Sequence, residues 1–98
     1  MSKQTERIEK MEVLLDEARK ITDDLDKALE AYEKVQKKLD RLEKYYTGPN
    51  WMKDYEAYEK GMLPKDIKCG VLSEDAVYDL LTDREDLLDR MRKLADND

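Results

Sequence analysis

The sequence contains no histidine and no phenylalanine, and only one cysteine, three glycines and two prolines among its 98 residues. Without histidine, the chain lacks the commonest general base and the commonest metal ligand. Cys69 cannot form an internal disulfide, so we expect a reducing compartment and a cytoplasmic location. Because glycine and proline are the strongest helix breakers, their scarcity favours long helices.

Long apolar runs are also missing. The longest uncharged run, from Tyr45 to Met52, is far too short to span a bilayer, and the N-terminal residues have no apolar signal core. The chain has no glycine-rich phosphate loop and no aspartate-rich calcium loop. We therefore predict a soluble protein that is not an enzyme, with no catalytic residue, no metal, no cofactor and no membrane partner.

Charge is unevenly distributed along the chain. The formal net charge is −6, and residues 73–98 hold nine acidic but only four basic side chains. A protein that binds nucleic acid directly needs a basic stripe to contact the phosphates, so this distribution disfavours that function. The acidic C-terminal region leaves open an alternative function as an acidic regulator or inhibitor that mimics nucleic acid or binds a basic protein. Such a regulator could derive from a phage.

The first half of the chain has a regular heptad pattern. Apolar or tyrosine side chains fill its successive core positions, which are Met11, Leu14, Ala18, Ile21, Leu25, Ala28, Tyr32, Val35, Leu39, Leu42 and Tyr46. Such a pattern is typical of one long helix that buries a stripe against another helix. We predict this helix over about residues 5–46.

The second half predicts two shorter helices. Gly48 suits a left-handed C-cap of the first helix, and Pro49 suits the first turn of a helix over about 50–60 that Gly61 closes. Residues 61–72 form a loop that we expect to pack, because it contains Leu63, Ile67, Val71 and Leu72. Ser73 is a good N-cap for a last helix over about 74–95, whose core positions are apolar except Arg84.

These elements predict an all-α single domain over residues 1–98. The short middle helix lets the C-terminal helix pack back on the long N-terminal helix as an antiparallel, coiled-coil-like helical hairpin. At about 1.5 Å per residue the first helix is ~60 Å long and the last only ~33 Å. The alternative is a break near Thr22-Asp23-Asp24, which would fold the first helix into a compact bundle.

An unbroken first helix leaves the apolar stripe of its N-terminal half uncovered. A soluble monomer does not tolerate an exposed stripe of that length, so we predict a homodimer. The candidate self-association residues are Ile8, Met11, Leu14, Leu15, Ala18, Ile21 and Leu25.

A distinctive block follows the long helix. It comprises Tyr45-Tyr46, Trp51, Asp54-Tyr55-Glu56, Gly61, Leu63-Pro64-Lys65-Asp66, Gly70-Val71-Leu72-Ser73-Glu74-Asp75 and Tyr78-Asp79-Leu80-Leu81. This block resembles a family of small bacterial proteins known as domain of unknown function 4298. The resemblance covers nearly the whole chain, from Glu6 to Leu94. It implies a bacterial or phage source and supplies no activity, ligand or catalytic residue.

The aromatic part of this block is the best candidate for binding a further, unidentified protein. Tyrosine and tryptophan are enriched at interaction hot spots because they bury a large area and keep a polar tip. The candidate partner-binding residues are Tyr45, Trp51, Asp54, Tyr55, Glu56 and Tyr58. The alternative is that the rings fill the corner between helices in a chain without phenylalanine.

We therefore predict a protein–protein interaction module that self-associates. A distant alternative is a magnesium-dependent nucleotide pyrophosphohydrolase, since Glu9 and Glu12 have the spacing of its metal ligands and Asp83, Asp86 and Asp89 recur three residues apart. Magnesium sites need carboxylates that converge from several helices. In the heptad pattern these aspartates fall on outward positions, which disfavours that alternative.

Overall fold

The computed structural model describes residues 2–97 and is almost entirely helical. Helix α1 is Lys3–Thr47, α2 is Pro49–Glu59 and α3 is Ala76–Asp96, and a short 3₁₀ turn at Gly70–Leu72 precedes α3. No β-strand occurs within the described residues. The predicted all-α fold class is confirmed.

Helix α1 is one uninterrupted helix of 45 residues and continues through Asp24, near which the alternative interpretation placed a break. Its N-terminus is capped by Ser2. The backbone N–H of Thr5 donates to Ser2 Oγ at 3.1 Å, and that of Glu6 donates to the Ser2 carbonyl oxygen at 3.1 Å. Because this cap satisfies amides of the first turn, the helix begins two residues before the expected start.

Gly48 joins α1 to α2 through close packing, and the expected left-handed C-cap role is wrong. Its backbone is extended (φ −92°, ψ 177°) and forms the N-cap of α2, with Pro49 in the first turn. A Cβ atom at Gly48 would lie only 2.8 Å from the carbonyl oxygen of Lys44. The absence of a side chain is therefore what allows α2 to start directly behind α1.

The segment between α2 and α3 packs only in part. Gly61 has a left-handed φ of 69° and follows the end of α2, as expected of a residue that closes a helix. Leu72 is buried and Val71 and Leu63 are half-buried. Ile67 is exposed, so the expectation that all four apolar residues of this loop pack is wrong for that residue.

Helix α3 begins at Ala76 with Asp75 at its N-cap, and the expected N-cap role of Ser73 is wrong. The backbone of Ser73 is extended, and its N–H donates to the carbonyl oxygen of Gly70 at 3.1 Å to complete the 3₁₀ turn. This turn carries Leu72 into the core. Burying a leucine contributes about 1.5–3 kcal/mol, which outweighs the ~1 kcal/mol of a serine cap.

Helix α3 packs antiparallel to the last turns of α1, which confirms the predicted helical hairpin. Near the start of α3, the Tyr46 hydroxyl donates to the carbonyl oxygen of Glu74 at 3.3 Å. Further along α3, the guanidinium of Arg84 bonds Asp40 at 3.3 Å and Glu43 at 3.2 Å. Because the partners move towards the N-terminus of α1 as α3 proceeds, the two helices run in opposite directions.

The chain forms two compact units, of which the first ends at Gln36 and the second begins at Lys37. In the first unit, every side chain from Ser2 to Ala28 is exposed. The second unit contains the buried core of the described residues, which is Leu39, Trp51, Leu72 and Val77. None of the described helices is both long enough and apolar enough to cross a bilayer.

Candidate functional site

An aromatic cluster of Tyr46, Trp51 and Tyr55 lies where α1 is joined to α2. The rings of Tyr46 and Trp51 meet edge to face, with centroids 5.3 Å apart and an angle of 73°. Trp51 and Tyr55, four residues apart on one face of α2, are stacked at 5.2 Å and 14°. Trp51 is only 8% exposed, so its ring packs the second unit and offers little surface to a partner.

Hydrogen bonds attach this cluster to the segment that precedes α3. The indole N–H of Trp51 donates to the carbonyl oxygen of Val71 at 2.9 Å. The hydroxyls of Tyr46 and Tyr55 donate to the carbonyl oxygen and to carboxylate Oε1 of Glu74, at 3.3 and 3.1 Å. A buried indole N–H without an acceptor would cost about 1–3 kcal/mol. Sequence reasoning missed the acceptor role of Glu74, because no spacing along the chain signals it.

Two tyrosine hydroxyls are held in the neutral form. Tyr45 donates to Asp54 Oδ2 at 2.6 Å, and partial burial, followed by this bond and the carboxylate charge, raises the pKa of Tyr45 to about 12. Hydrogen bonds to Glu74 and then Glu59 raise the pKa of Tyr55 to about 12 as well. Groups with these pKa values are poorly matched to acid–base catalysis near pH 7. Their role in this geometry is to donate hydrogen bonds between elements.

The predicted partner-binding residues divide into a packed group and an exposed group. The packed group consists of two contacting pairs, Tyr45 with Asp54 and Trp51 with Tyr55. Glu56 and Tyr58 are exposed on α2, and Tyr58 is 47% exposed. The geometry supports the corner-filling alternative for the packed group. Binding of a partner by these six residues stays a prediction.

A pocket of about 600 Å³ lies between the end of α2 and the 3₁₀ turn. Its lining residues are Tyr58, Gly61, Leu63, Pro64, Lys65, Ile67, Cys69, Gly70 and Ser73. A nucleophilic thiol needs a neighbouring base, and this lining supplies neither histidine nor carboxylate to Cys69. Among residues 2–97, no three side chains of the metal-binding types converge as they would around a metal ion.

Arg84, which interrupts the apolar pattern of the last helix in sequence, contributes to helix packing. Its side chain is only 11% exposed, and its guanidinium forms ion pairs with Asp40 and Glu43 of α1. The sequence signal was a charge at a core position opposite two acids three residues apart on the facing helix. That signal could be interpreted only once the two helices were aligned.

The predicted self-association residues form one exposed surface, here called the N-terminal apolar face. It consists of Ile8, Met11, Leu14, Leu15, Ala18, Ile21 and Leu25 of α1. The six large side chains are between 42% and 64% exposed, and Ala18 is exposed as well. Scattered exposed apolar residues are normal, whereas large contiguous apolar patches are common at interaction surfaces. Self-association through this face stays a prediction.

Comparison with known families is consistent with the resemblance seen in the sequence. A family model described as "Domain of unknown function (DUF4298)" matches residues 8–94. The chain belongs to this family. The matched region includes both the aromatic cluster and the N-terminal apolar face, while the family description gives no activity or ligand. No curated protein and no solved structure matches the chain. The bacterial or phage source stays a prediction.

Proposed function

We propose that this chain is a non-enzymatic helical interaction module that associates with a second copy of itself through the N-terminal apolar face. The observation that supports this function best is the exposure of heptad core residues such as Leu14 and Ile21. A helix in water gains most of its stability by burying its apolar face. Among the residues that the structure describes, every side chain from Ser2 to Ala28 is exposed, including the whole of this face.

The accessible surface of the chain supports association. The chain exposes 8774 Å², whereas a folded monomer of its mass, 11.6 kDa, exposes about 5,800 Å² by the usual scaling. The surplus of roughly 3,000 Å² exceeds the ~800 Å² that each partner buries in a standard interface. The exposed surface of one chain is therefore large enough to supply the interface of a stable dimer.

A second copy brings an identical apolar face with the same heptad spacing. The alternating spacing of three and four residues is the one that lets two similar helices interlock their side chains. A two-fold pair also buries the same patch on both chains, so one exposed face satisfies both partners. The homodimer is thus the simplest assembly that removes the exposed stripe from water.

The test compares charge substitutions on and off the N-terminal apolar face. Leu14 is 54% exposed on the face, and its neighbour Val13 is 55% exposed on the opposite side of α1. We expect the wild type to sediment as a dimer of twice 11.6 kDa. Leu14→Glu combined with Ile21→Glu should give monomers, because each glutamate would be buried without a partner charge.

The control is Val13→Glu, which adds one glutamate off the face at nearly the exposure of Leu14 and should leave the dimer intact. Leu14→Glu alone, which adds the same single charge on the face, should weaken the dimer. Sedimentation equilibrium over a range of protein concentrations measures the wild type and the variants, since assembly depends on concentration. A monomeric wild type at several hundred micromolar would refute the proposed function. So would an unchanged dimer mass in the Leu14→Glu, Ile21→Glu variant.

A further inference from the structure

The two flanks of the N-terminal apolar face differ in chemistry. Heptad positions a and d form the core of the face and are Met11, Leu14, Ala18, Ile21 and Leu25. Position e forms an uncharged flank of Ile8, Leu15 and Thr22. Position g forms a charged flank of Lys10, Glu17 and Asp24. All of these side chains are exposed, so both flanks are open to a second helix.

The relative direction of two helices decides which flanks meet. In a parallel pair, each e flank lies beside the g flank of the other helix. In an antiparallel pair, e lies beside e and g beside g, because reversing one helix exchanges its two sides. A parallel pair would place Leu15 beside Lys10, and Asp24 beside Leu29, of the second copy. An antiparallel pair instead groups uncharged with uncharged residues and charged with charged residues.

We propose that two copies pair as antiparallel helices centred on Asp16, an inference that rests on the self-association proposed above. In this register Met11 faces Ile21 of the second copy, and Leu14 faces Ala18. A leucine opposite an alanine fills the space between two helices without crowding, as close packing of helices requires. Each of these two contacts occurs twice in the symmetric pair. The four central contacts therefore combine a large side chain with a smaller or flexible one.

The charged flanks select this register. With the pair centred on Asp16, Lys10 of each copy lies beside Asp24 of the other, so this contact occurs twice along the charged flank. On the uncharged flank, Leu15 lies beside Leu15 of the second copy. Glu17 also lies beside Glu17 of the second copy, which is unfavourable, although both carboxylates stay hydrated at the edge. Moving the centre by half a heptad towards Asp24 would place Glu17 beside Asp24 twice and leave Lys10 without a partner acid.

The extent of the exposed helix agrees with the same register. Pairing centred on Asp16 runs from about Gln4 to Ala28, and every side chain in that stretch is exposed. Moving the centre half a heptad towards the N-terminus would place Gln4 opposite Ile21. That shift would also leave Leu25, which is 48% exposed, without cover. The register centred on Asp16 is the one that buries the whole N-terminal apolar face.

The test uses disulfide formation between mixed single-cysteine chains, each with Cys69→Ser. In the proposed register Arg7 faces Leu25 of the second copy. Two copies of Arg7 then lie about 27 Å apart along the helix axis, far beyond disulfide reach. We therefore mix Arg7→Cys chains with Leu25→Cys chains under mild oxidation. The mixed disulfide should exceed either homodisulfide by about tenfold, because bond formation depends steeply on geometry.

The outcomes separate the orientation from the association itself. A dominant mixed disulfide supports the antiparallel pair centred on Asp16. Dominant homodisulfides would overturn the antiparallel orientation while leaving self-association in place. A dimer that forms no mixed disulfide would overturn the register centred on Asp16, again without affecting self-association. Chains that stay monomeric by sedimentation would overturn the proposed function, and with it this inference.

A charge exchange gives an independent measurement that needs no cysteine. Lys10→Glu should weaken the dimer severalfold at low salt by placing an acid beside Asp24 of the second copy. Adding Asp24→Lys should restore affinity. Asp24 also accepts a hydrogen bond from Lys20 of its own helix at 2.9 Å, so the matched control is Asp24→Lys alone. Failure of the double exchange to recover affinity would contradict the register.

Discussion

The two ends of α1 share one heptad pattern but have opposite surroundings. From Ser2 to Ala28 the helix is exposed on all sides, whereas near its C-terminus Leu39 is buried and Asp40 and Glu43 bond Arg84 of α3. The heptad pattern therefore indicates an apolar face along the whole helix, but it does not indicate which other residues pack against that face. The C-terminal end is covered by other parts of the same chain, whereas the N-terminal end is exposed and is the face proposed to bind a second copy.

This difference predicts two kinds of stability in one helix. The C-terminal end contributes to an intramolecular core, so its contribution to the free energy of unfolding should not depend on protein concentration. Under the proposed self-association a second copy stabilises the N-terminal end, so its helicity should fall on dilution. Each of the following predictions tests a part of this contrast.

The largest expected effect comes from a matched pair of leucines. Leu39→Ala should lower the free energy of unfolding by about 2–5 kcal/mol, because Leu39 is 4% exposed and its removal leaves a cavity. Leu14→Ala at low micromolar concentration should cost no more than about 0.5 kcal/mol. Urea unfolding followed by circular dichroism measures both. Equal losses in the two variants would contradict the contrast between the two ends of α1.

The joint between α1 and α2 gives the next largest effect. Gly48→Ala should destabilise the second unit by about 1–3 kcal/mol, because its Cβ would meet the Lys44 carbonyl oxygen at 2.8 Å. Gly70→Ala is the matched control, since a Cβ at Gly70 has open space around it. Thermal unfolding of both variants measures the difference. If both changed stability alike, the close approach at Gly48 would not be the reason for the glycine.

A smaller effect is expected at the ion pairs of the hairpin. Arg84→Met should cost up to about 1 kcal/mol, because Asp40 and Glu43 are more than half exposed and water screens both pairs. The control is Lys93→Met, which removes an exposed pair with Asp89 on α3 alone. The loss at Arg84 should shrink in high salt, and unfolding at two salt concentrations measures it. A loss at Lys93 as large as that at Arg84 would contradict the bridging role.

The smallest effect concerns alkaline pH. The pKa of Tyr45 is raised to about 12 in the folded chain from an ordinary value of 10.0. Its stabilising contribution should therefore be complete below pH 10 and decline as pH rises towards 12. Absorbance titration near 295 nm should show late-titrating tyrosines in the wild type and one fewer in Tyr45→Phe. An unchanged titration in that variant would contradict the Tyr45–Asp54 hydrogen bond.

The helices themselves were predictable because their signals are local. The heptad pattern of α1, Pro49 in the first turn of α2 and Gly61 after its end all act within a few residues. The continuity of α1 through Asp24 followed from the lack of any strong breaker. Periodicity likewise located the N-terminal apolar face, because it depends only on which side of one helix a residue occupies.

The errors arose where contacts made only in the folded chain decide the outcome. Ser73 had good N-cap chemistry, but the burial of Leu72 moved the start of α3 to Ala76. Gly48 was assigned a left-handed role, although the neighbouring Lys44 carbonyl oxygen is what excludes a side chain there. The structural role of Glu74 required knowledge of which tyrosines face it. None of these contacts leaves a periodic trace in the sequence.

The single tryptophan of the chain is a built-in optical reporter. Its indole is stacked on Tyr55 and hydrogen-bonded to Val71, both within the second unit, so its emission should shift when that unit opens. The exposed half of α1 contains no tryptophan and should leave the emission unchanged. Fluorescence and ultraviolet ellipticity recorded on one sample can thus follow the melting of the core and the fraying of the exposed helix as two separate signals.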